Sequence, residues 1–254
     1  MIDLSIIIPT YNNLQLLKNS LKSVVKQQNI SFEIIIVDDS TNSEIFDFLK
    51  TQSTHIKYYK NSPKKGAVRN WNYGLSLAEG TYITVLHHDE FYKNILNQLS
   101  IIINGNPTED VLISKVVVIR PDKSIYSLGN DSWFKNLILN LSPSYLFFQN
   151  FIGPVSCVIF KKKHRLFFNE NLKWFVDVEW YYRLFRKKKI KYLDEHKVMS
   201  YLNHEGKITN NLSIKDEIKK DLKVLLKEYN KKLDILIFLY AHILFKKIKS
   251  IVKK

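Results

Sequence analysis

Cysteine is nearly absent: Cys157 stands alone among 254 residues. A single thiol permits neither a disulfide framework nor a cysteine metal cluster. Long apolar runs are missing too. The mostly apolar stretch from Ile235 to Phe245 would be about 17 Å long as a helix, short of the roughly 30 Å hydrocarbon core of a bilayer. The opening residues, Met1-Ile2-Asp3-Leu4, lack the basic segment and small-residue cleavage site of a signal peptide. A cytoplasmic location is therefore expected, where the triplets Asn29-Ile30-Ser31 and Asn211-Leu212-Ser213 carry no glycosylation meaning. No zinc finger or aromatic RNA-reading signature is found, so nucleic acid is not an expected partner. Internal repeats and low-complexity linkers are also missing.

Acidic residues are in deficit. Lys and Arg number 39 against 24 Asp and Glu, a formal net charge of +15. That balance favours polyanions or an anionic membrane face. A hydrophobic content of 45% with 13% aromatics supports a packed core. The length suits one large α/β domain, or one such domain with a helical appendage.

The ordered part begins with Leu4-Ser5-Ile6-Ile7-Ile8, a short β-branched run closed by Pro9, which reads as a buried strand. Leu14, Leu17, Leu21, Val24 and Val25 then recur at helical spacing, with Asn12 or Asn13 available as cap. Glu33 to Val37 is a second strand. A strand-helix-strand unit makes the two strands parallel neighbours. The alternation goes on: helix at Glu44–Lys50, strand at Ile56–Tyr59, helix at Ala67–Leu77, strand at Thr81–Leu86. Past residue 110 it loosens. Val111–Ile119 and Val155–Phe160 read as strands, 131–150 as aromatic and irregular, and Asp177–Phe185 as a helix. The tail from Ile214 holds 12 lysines and 5 acids. It reads as a basic amphipathic helix that lies in a membrane interface or packs on the domain or a partner chain.

Polar residues gather where strands end: Thr10-Tyr11-Asn12, Asp38-Asp39 and His87-His88-Asp89-Glu90. In open α/β sheets, ligands bind beyond the carboxyl ends of strands. Imidazole and carboxylate groups packed at such an end can hold a divalent cation, and a cation can hold a diphosphate. A further acidic spot, Asp177 and Glu179, follows later.

These segments resemble a known family. Ile7-Ile8-Pro9-Thr10-Tyr11-Asn12 and Ile36-Val37-Asp38-Asp39-Ser40 are similar to the opening of family 2 glycosyltransferases. The stretch Gly66-Ala67-Val68-Arg69-Asn70, Gly74 and Ala78-Glu79-Gly80-Thr81-Tyr82-Ile83 resembles the family's next block. His87-His88-Asp89 stands at its Asp-any-Asp metal motif, with histidine in place of the first aspartate. Asp177 with Arg183 resembles the catalytic acidic motif, whose usual preceding glutamate is Val176 here. Asn203-His204-Glu205-Gly206 resembles the late histidine loop. The likeness covers about residues 3 to 210.

The resemblance implies a GT-A (Rossmann-like) α/β fold, with a mixed, mainly parallel sheet flanked by helices and a C-terminal helical basic tail. The implied layout is a nucleotide-sugar-binding half over 1–110, an acceptor-binding and catalytic half over 111–212, and the tail over 213–254. The implied activity is an inverting transfer from a nucleotide-sugar, a UDP-sugar being expected, to a hydroxyl of a lipopolysaccharide, capsule or lipid-linked glycan. It implies that Pro9, Thr10, Tyr11, Asp38, Asp39, Arg69 and His88 bind the nucleotide. Asp89, His87 and His204 would ligate a divalent metal, Mn2+ or Mg2+, with imidazole favouring the former. Asp177 is the expected base; Glu179, two residues on, is the other candidate catalytic carboxylate and would face elsewhere on a helix. Trp174 and Trp180 would line the acceptor site. Work at the inner face of the plasma membrane is expected, with the tail on its anionic surface.

Three other classes compete. A nucleotidyltransferase needs a glycine-rich loop after the first strand, and Pro9-Thr10-Tyr11-Asn12-Asn13 has no glycine. A metal-dependent hydrolase needs more carboxylate or histidine ligands than can be placed. A catalytically silent membrane-associated module that binds nucleotide or glycan stays open, because His87 replaces the usual aspartate.

Overall fold

The computed structural model describes residues 2–25, 30–52, 56–87, 89–91, 95–105, 107–120, 122, 124–127, 132–201 and 213–252, without the side chains of 132–134, 194–196 and 246–252. His88 and His204 lie outside the described residues.

Strand β1 (Leu4–Thr10) is buried along its whole length. Leu4, Ile6, Ile7 and Ile8 are all fully enclosed, which a central parallel strand covered on both faces requires. Helix α1 (Leu14–Val25) turns Leu17, Ser20, Leu21 and Val24 inward. Its cap is Asn13, whose Oδ1 accepts the Leu16 N–H at 3.0 Å. Asn12 does not cap: at φ 47 its side chain bridges to Thr41. Strand β2 (Phe32–Asp38) runs parallel to β1, with Thr10 opposite Asp38. Helix α2 (Glu44–Leu49) and strand β3 (Ile56–Lys60) follow, β3 parallel to β2. Helix α3 (Ala67–Leu77) lies on the sheet at Gly74, where a Cβ would collide with Ile7. Strand β4 (Tyr82–Val85) returns to the free side of β1, again parallel.

The second half shares the same sheet. Strand β5 (Glu90–Phe91), helix α4 (Ile95–Asn104), strand β6 (Val111–Ile119), strand β7 (Ile125–Ser127) and helix α5 (Ser132–Leu141) come first. Strand β8 (Val158–Lys161), helix α6 (Val176–Phe185), strand β9 (Ile190–Tyr201), helix α7 (Ile214–Glu228) and helix α8 (Leu233–Val252) complete the chain. Strand order is β3-β2-β1-β4-β8-β6-β9-β5, with β7 beside β6. β6 pairs parallel with β9, while β8 is antiparallel to both its neighbours. The sheet is therefore mixed, and its longest registers are the parallel ones.

Four sequence expectations change here. Residues 131–150 are not irregular: α5 is followed by a 3₁₀ turn at Pro143–Phe147. The stretch 155–160 starts as a 3₁₀ turn, and its strand begins only at Val158. β9 is a strand that the sequence pattern hides, because several charged residues break its apolar run. The tail is two helices, and both touch the domain. On α8, Ile235 and Leu239 are fully buried, and His242 Nδ1 lies 3.0 Å from the Phe148 carbonyl. Among the described residues, no helix is long and apolar enough to cross a membrane.

Candidate active site

The chain leaves β1 for β2 on one side and comes back through β4 on the other. That reversal opens a crevice beyond the carboxyl ends of β1 and β4. Thr10 ends β1, Asp38 ends β2, and His87 and Asp89 follow β4. All four belong to one edge of the sheet.

The β2 end is an internally neutralised region. Asp38 is completely buried and accepts from Tyr58 Oη at 2.8 Å, Lys60 Nζ at 3.0 Å and the Ser40 N–H at 2.8 Å. Asp39 is 3% exposed. Its Oδ1 accepts the Lys65 N–H at 2.7 Å and Asn61 Nδ2 at 3.1 Å, and its Oδ2 accepts the Gly66 N–H at 2.9 Å. These bonds fix the loop that opens α3. Gly66, at φ 86, makes that turn without strain from a side chain. Tyr11 is exposed, with Lys64 Nζ 4.1 Å above its ring. Pro9 and Thr10 are buried beneath it. Arg69 stands on the outer side of α3, with Nε 2.8 Å from Glu170. Arg69 and Asn72 hold the Glu170 carboxyl below the usual carboxylate range.

The β4 end is different. Asp89 is 7% exposed, its carboxylate accepts from the Ser156 hydroxyl, and its carbonyl accepts from Ser20 Oγ at 2.9 Å. The His87 ring packs on Trp71, with centroids 4.4 Å apart. Asp177, in the first turn of α6, comes close enough to feel the Asp89 charge. Burial first, and then that neighbouring negative charge, push the Asp177 carboxyl up to about 7 from an ordinary 3.8. Burial likewise raises Glu90 above the usual carboxylate range. Two carboxylates from distant parts of the chain thus share one crevice.

The structure removes two candidates from the reaction centre. Glu179 is 2% exposed, with Arg183 Nε at 2.5 Å and Nη2 at 2.8 Å on its two oxygens. Tyr229 Oη also donates to it, at 2.6 Å. Two helical residues beyond Asp177, it points away from that group and ties α6 to the tail. Trp180 is fully buried: its indole N–H donates to the Leu166 carbonyl at 2.8 Å, and its ring stacks on Phe168. It is core. Trp174 keeps partial exposure just before α6.

Sequence reasoning misses three supports of the site: Ser156 on Asp89, Glu170 on Arg69, and Asp221 beneath the start of α6. The first two have no signal. For the third, Glu217 and Asp221 stand four apart in a lysine-rich helix, and that spacing marks one face.

Among the described residues, no group of three or more His, Cys, Asp and Glu side chains could hold a metal ion by itself. A hard cation that keeps substrate phosphates and water as ligands needs only one or two protein carboxylates. Asp89, beside Asp177, fits that smaller requirement.

Comparison with known proteins agrees with this architecture. A crystal structure of S. aureus TarS 1-349 in complex with UDP-GlcNAc superposes with a TM-score of 0.68 at 19% identity, covering 95% of this chain and 72% of that one. The shared fold is GT-A. An uncharacterized glycosyltransferase of Rickettsia typhi is 25% identical over 213 residues, 81% of this chain and 65% of its own length. The Escherichia coli UDP-Glc:alpha-D-GlcNAc-diphosphoundecaprenol beta-1,3-glucosyltransferase WfgD is 31% identical over 105 residues, 40% of this chain and 42% of its own. The chain spans less than two thirds of the length of these curated relatives. The description "Glycosyl transferase family 2" matches residues 5–189, well over half of the chain, and the protein belongs to that family.

Proposed function

We propose that this protein transfers a sugar from a UDP-sugar to a hydroxyl of a lipid-linked or surface glycan, with inversion at the anomeric carbon. The observation that carries this reading is Asp177 in the first turn of α6, with its carboxyl raised by burial and by the charge of Asp89 from the β4 end. A carboxyl pushed up to about 7 is poised near neutral pH, where a general base works best. Asp177 takes the proton of the acceptor hydroxyl as its oxygen attacks the anomeric carbon. The bond from that carbon to the diphosphate oxygen breaks on the opposite face. Such a base contributes about 10²–10⁴-fold.

Asp89 would hold a divalent metal, with His87 beside it and His204 as a further candidate. The imidazoles favour Mn2+ over Mg2+. When bound, the ion would neutralise the departing diphosphate. Arg69 adds a fixed cation once it leaves Glu170. Thr10 and Tyr11 flank the base of the nucleotide, and Asp39 acts through the loop it pins. Trp174 borders the acceptor. Support for donor and acceptor comes from relatives: the WfgD name specifies UDP-Glc and a diphosphoundecaprenol-linked acceptor, and TarS was crystallised with UDP-GlcNAc and with UDP.

The tail completes the reading. While α8 buries Ile235 and Leu239, it exposes Leu233, Ile237, Tyr240 and Leu244 at helical spacing. That stripe, in a lysine-rich tail, suits the surface of an anionic membrane on its cytoplasmic face.

The test is slow hydrolysis of a panel of sugar nucleotides with manganese, with magnesium and with chelator. Release of one nucleoside diphosphate, dependent on metal and lost in Asp89→Ala, supports the proposal. No release with an acceptor present, together with no nucleotide binding by calorimetry, overturns it in favour of a silent module.

A further inference from the structure

The reaction centre does not use the buried carboxylate of Asp221. Asp221, on α7, is 1% exposed and lies outside the residues 5–189 that match the family. Burying an ionised carboxylate is costly unless donors surround it. Here three consecutive backbone N–H groups converge on it. Lys173 donates at 3.1 Å to each oxygen, Trp174 to Oδ2 at 2.6 Å and Phe175 to Oδ2 at 2.8 Å. These are the last three residues before α6, whose second residue is Asp177. Phe175, at the cap position, makes no side-chain cap bond. A carboxylate from another helix supplies the anion that this helix start attracts.

The rest of α7 supports the same stretch. Glu217 lies 3.5 Å from Lys173 Nζ, Glu228 accepts from Asn169 at 2.8 Å, and Tyr229 reaches Glu179 at 2.6 Å. Residues 169 to 179 are thus held against α7 at several points. Among these contacts, only that of Asp221 grips backbone, and backbone decides where the Asp177 side chain starts.

We propose that Asp221 is a positioning residue for Asp177, an inference that rests on Asp177 being the base. It fixes the turn 173–175, from which α6 and the Asp177 side chain start. A base must lie within about 3 Å of the proton it takes. A displacement of about 1 Å costs roughly 10²-fold in rate. The tail, read from sequence as lying in a membrane interface or packing on the domain or a partner chain, thereby has a duty inside the catalytic domain.

The experiment compares the full chain with its Asp221→Asn, Tyr229→Phe and Asp177→Asn variants. Asparagine keeps the shape of Asp221 but offers one acceptor oxygen and turns an N–H2 toward donors. Amide hydrogen exchange comes first. Peptides covering 170–179 should exchange faster in Asp221→Asn, while those of β1 and β2 stay unchanged. Turnover of UDP-glucose and UDP-N-acetylglucosamine should then show kcat lowered about 10–100-fold, with the donor KM within about threefold. Tyr229→Phe loosens the same helix without touching the turn, so its kcat should stay within about threefold. Unchanged exchange over 170–179 overturns the proposal. So does wild-type kcat per folded molecule in Asp221→Asn, or an equal loss in Tyr229→Phe. Wild-type turnover in Asp177→Asn removes the base assignment and the positioning role together. An inactive Asp177→Asn beside a fully active Asp221→Asn removes the positioning role alone.

Discussion

The ends of β2 and β4 both carry buried carboxylates, yet they use them in opposite ways. At β2, the oxygens of Asp38 and Asp39 are occupied by a lysine, a tyrosine, an asparagine and three backbone N–H groups. At β4, burial and then the charge of Asp89 raise the Asp177 carboxyl. The first region uses its negative charge to fold a loop. The second keeps two like charges together, an arrangement that costs stability and rewards a proton or a cation. Acidic residues at strand ends are therefore not one class: their partners separate scaffold from chemistry.

The largest effect that would break this contrast concerns Asp89. Asp89→Ala should lower sugar transfer by about 10²–10³-fold or more while nearly preserving thermal stability, read by steady-state kinetics and a melting curve. A large fall in Tm with modest kinetic loss would move Asp89 into the scaffold. The reverse holds for Asp39. Asp39→Ala strands the Lys65 and Gly66 N–H groups and should cost about 3 kcal/mol in urea unfolding, with weaker nucleotide binding as a consequence. A stable variant whose nucleotide affinity alone collapses would place Asp39 in direct contact with the ligand.

Asp177 sharpens the contrast through pH. Its carboxyl is raised in the folded state, so folding takes up a proton between about 4 and about 7. The stability from this group is complete below its ordinary 3.8 and is lost as pH rises through about 7. In chelator, unfolding free energy should fall more from pH 5 to pH 8 in wild type than in Asp177→Asn. Equal falls would mean that the carboxyl is not raised. The smallest effect lies at the tail. Ile237→Ser with Leu244→Ser should weaken co-sedimentation with anionic vesicles and leave turnover of a soluble acceptor intact. Retained vesicle binding would assign the exposed stripe to another partner.

Much of the first half was legible in sequence, because its strands are continuous apolar runs cut by polar turns. β1 and β2 read this way, and α3 spans Ala67–Leu77 as its spacing predicts. The second half was harder. α5 has Trp133 and Phe134 after its first residue and β9 mixes Lys191, Asp194, Glu195 and Lys197 with apolar residues, so neither shows a clean period. The pairing of Asp89 with Asp177 could be expected only through family resemblance, since it joins residues far apart in the chain. Ser156 had no local pattern to announce it, and Asp221 only its spacing from Glu217. Glu179 was the weaker candidate already in sequence, since a helix turns a carboxylate two positions from Asp177 to another side.

Consider finally the order in which the ribosome delivers this sheet. β4 pairs with β1 through Leu4 and Tyr82, but its other neighbour, β8, begins at Val158, with Thr84 opposite Ile159. A nascent chain ending anywhere between them carries a finished parallel sheet whose last strand, Tyr82–Val85, has an open and apolar edge. Such an edge is a template for intermolecular pairing. Chains released by truncation within residues 90 to 157 should therefore aggregate more than the full chain.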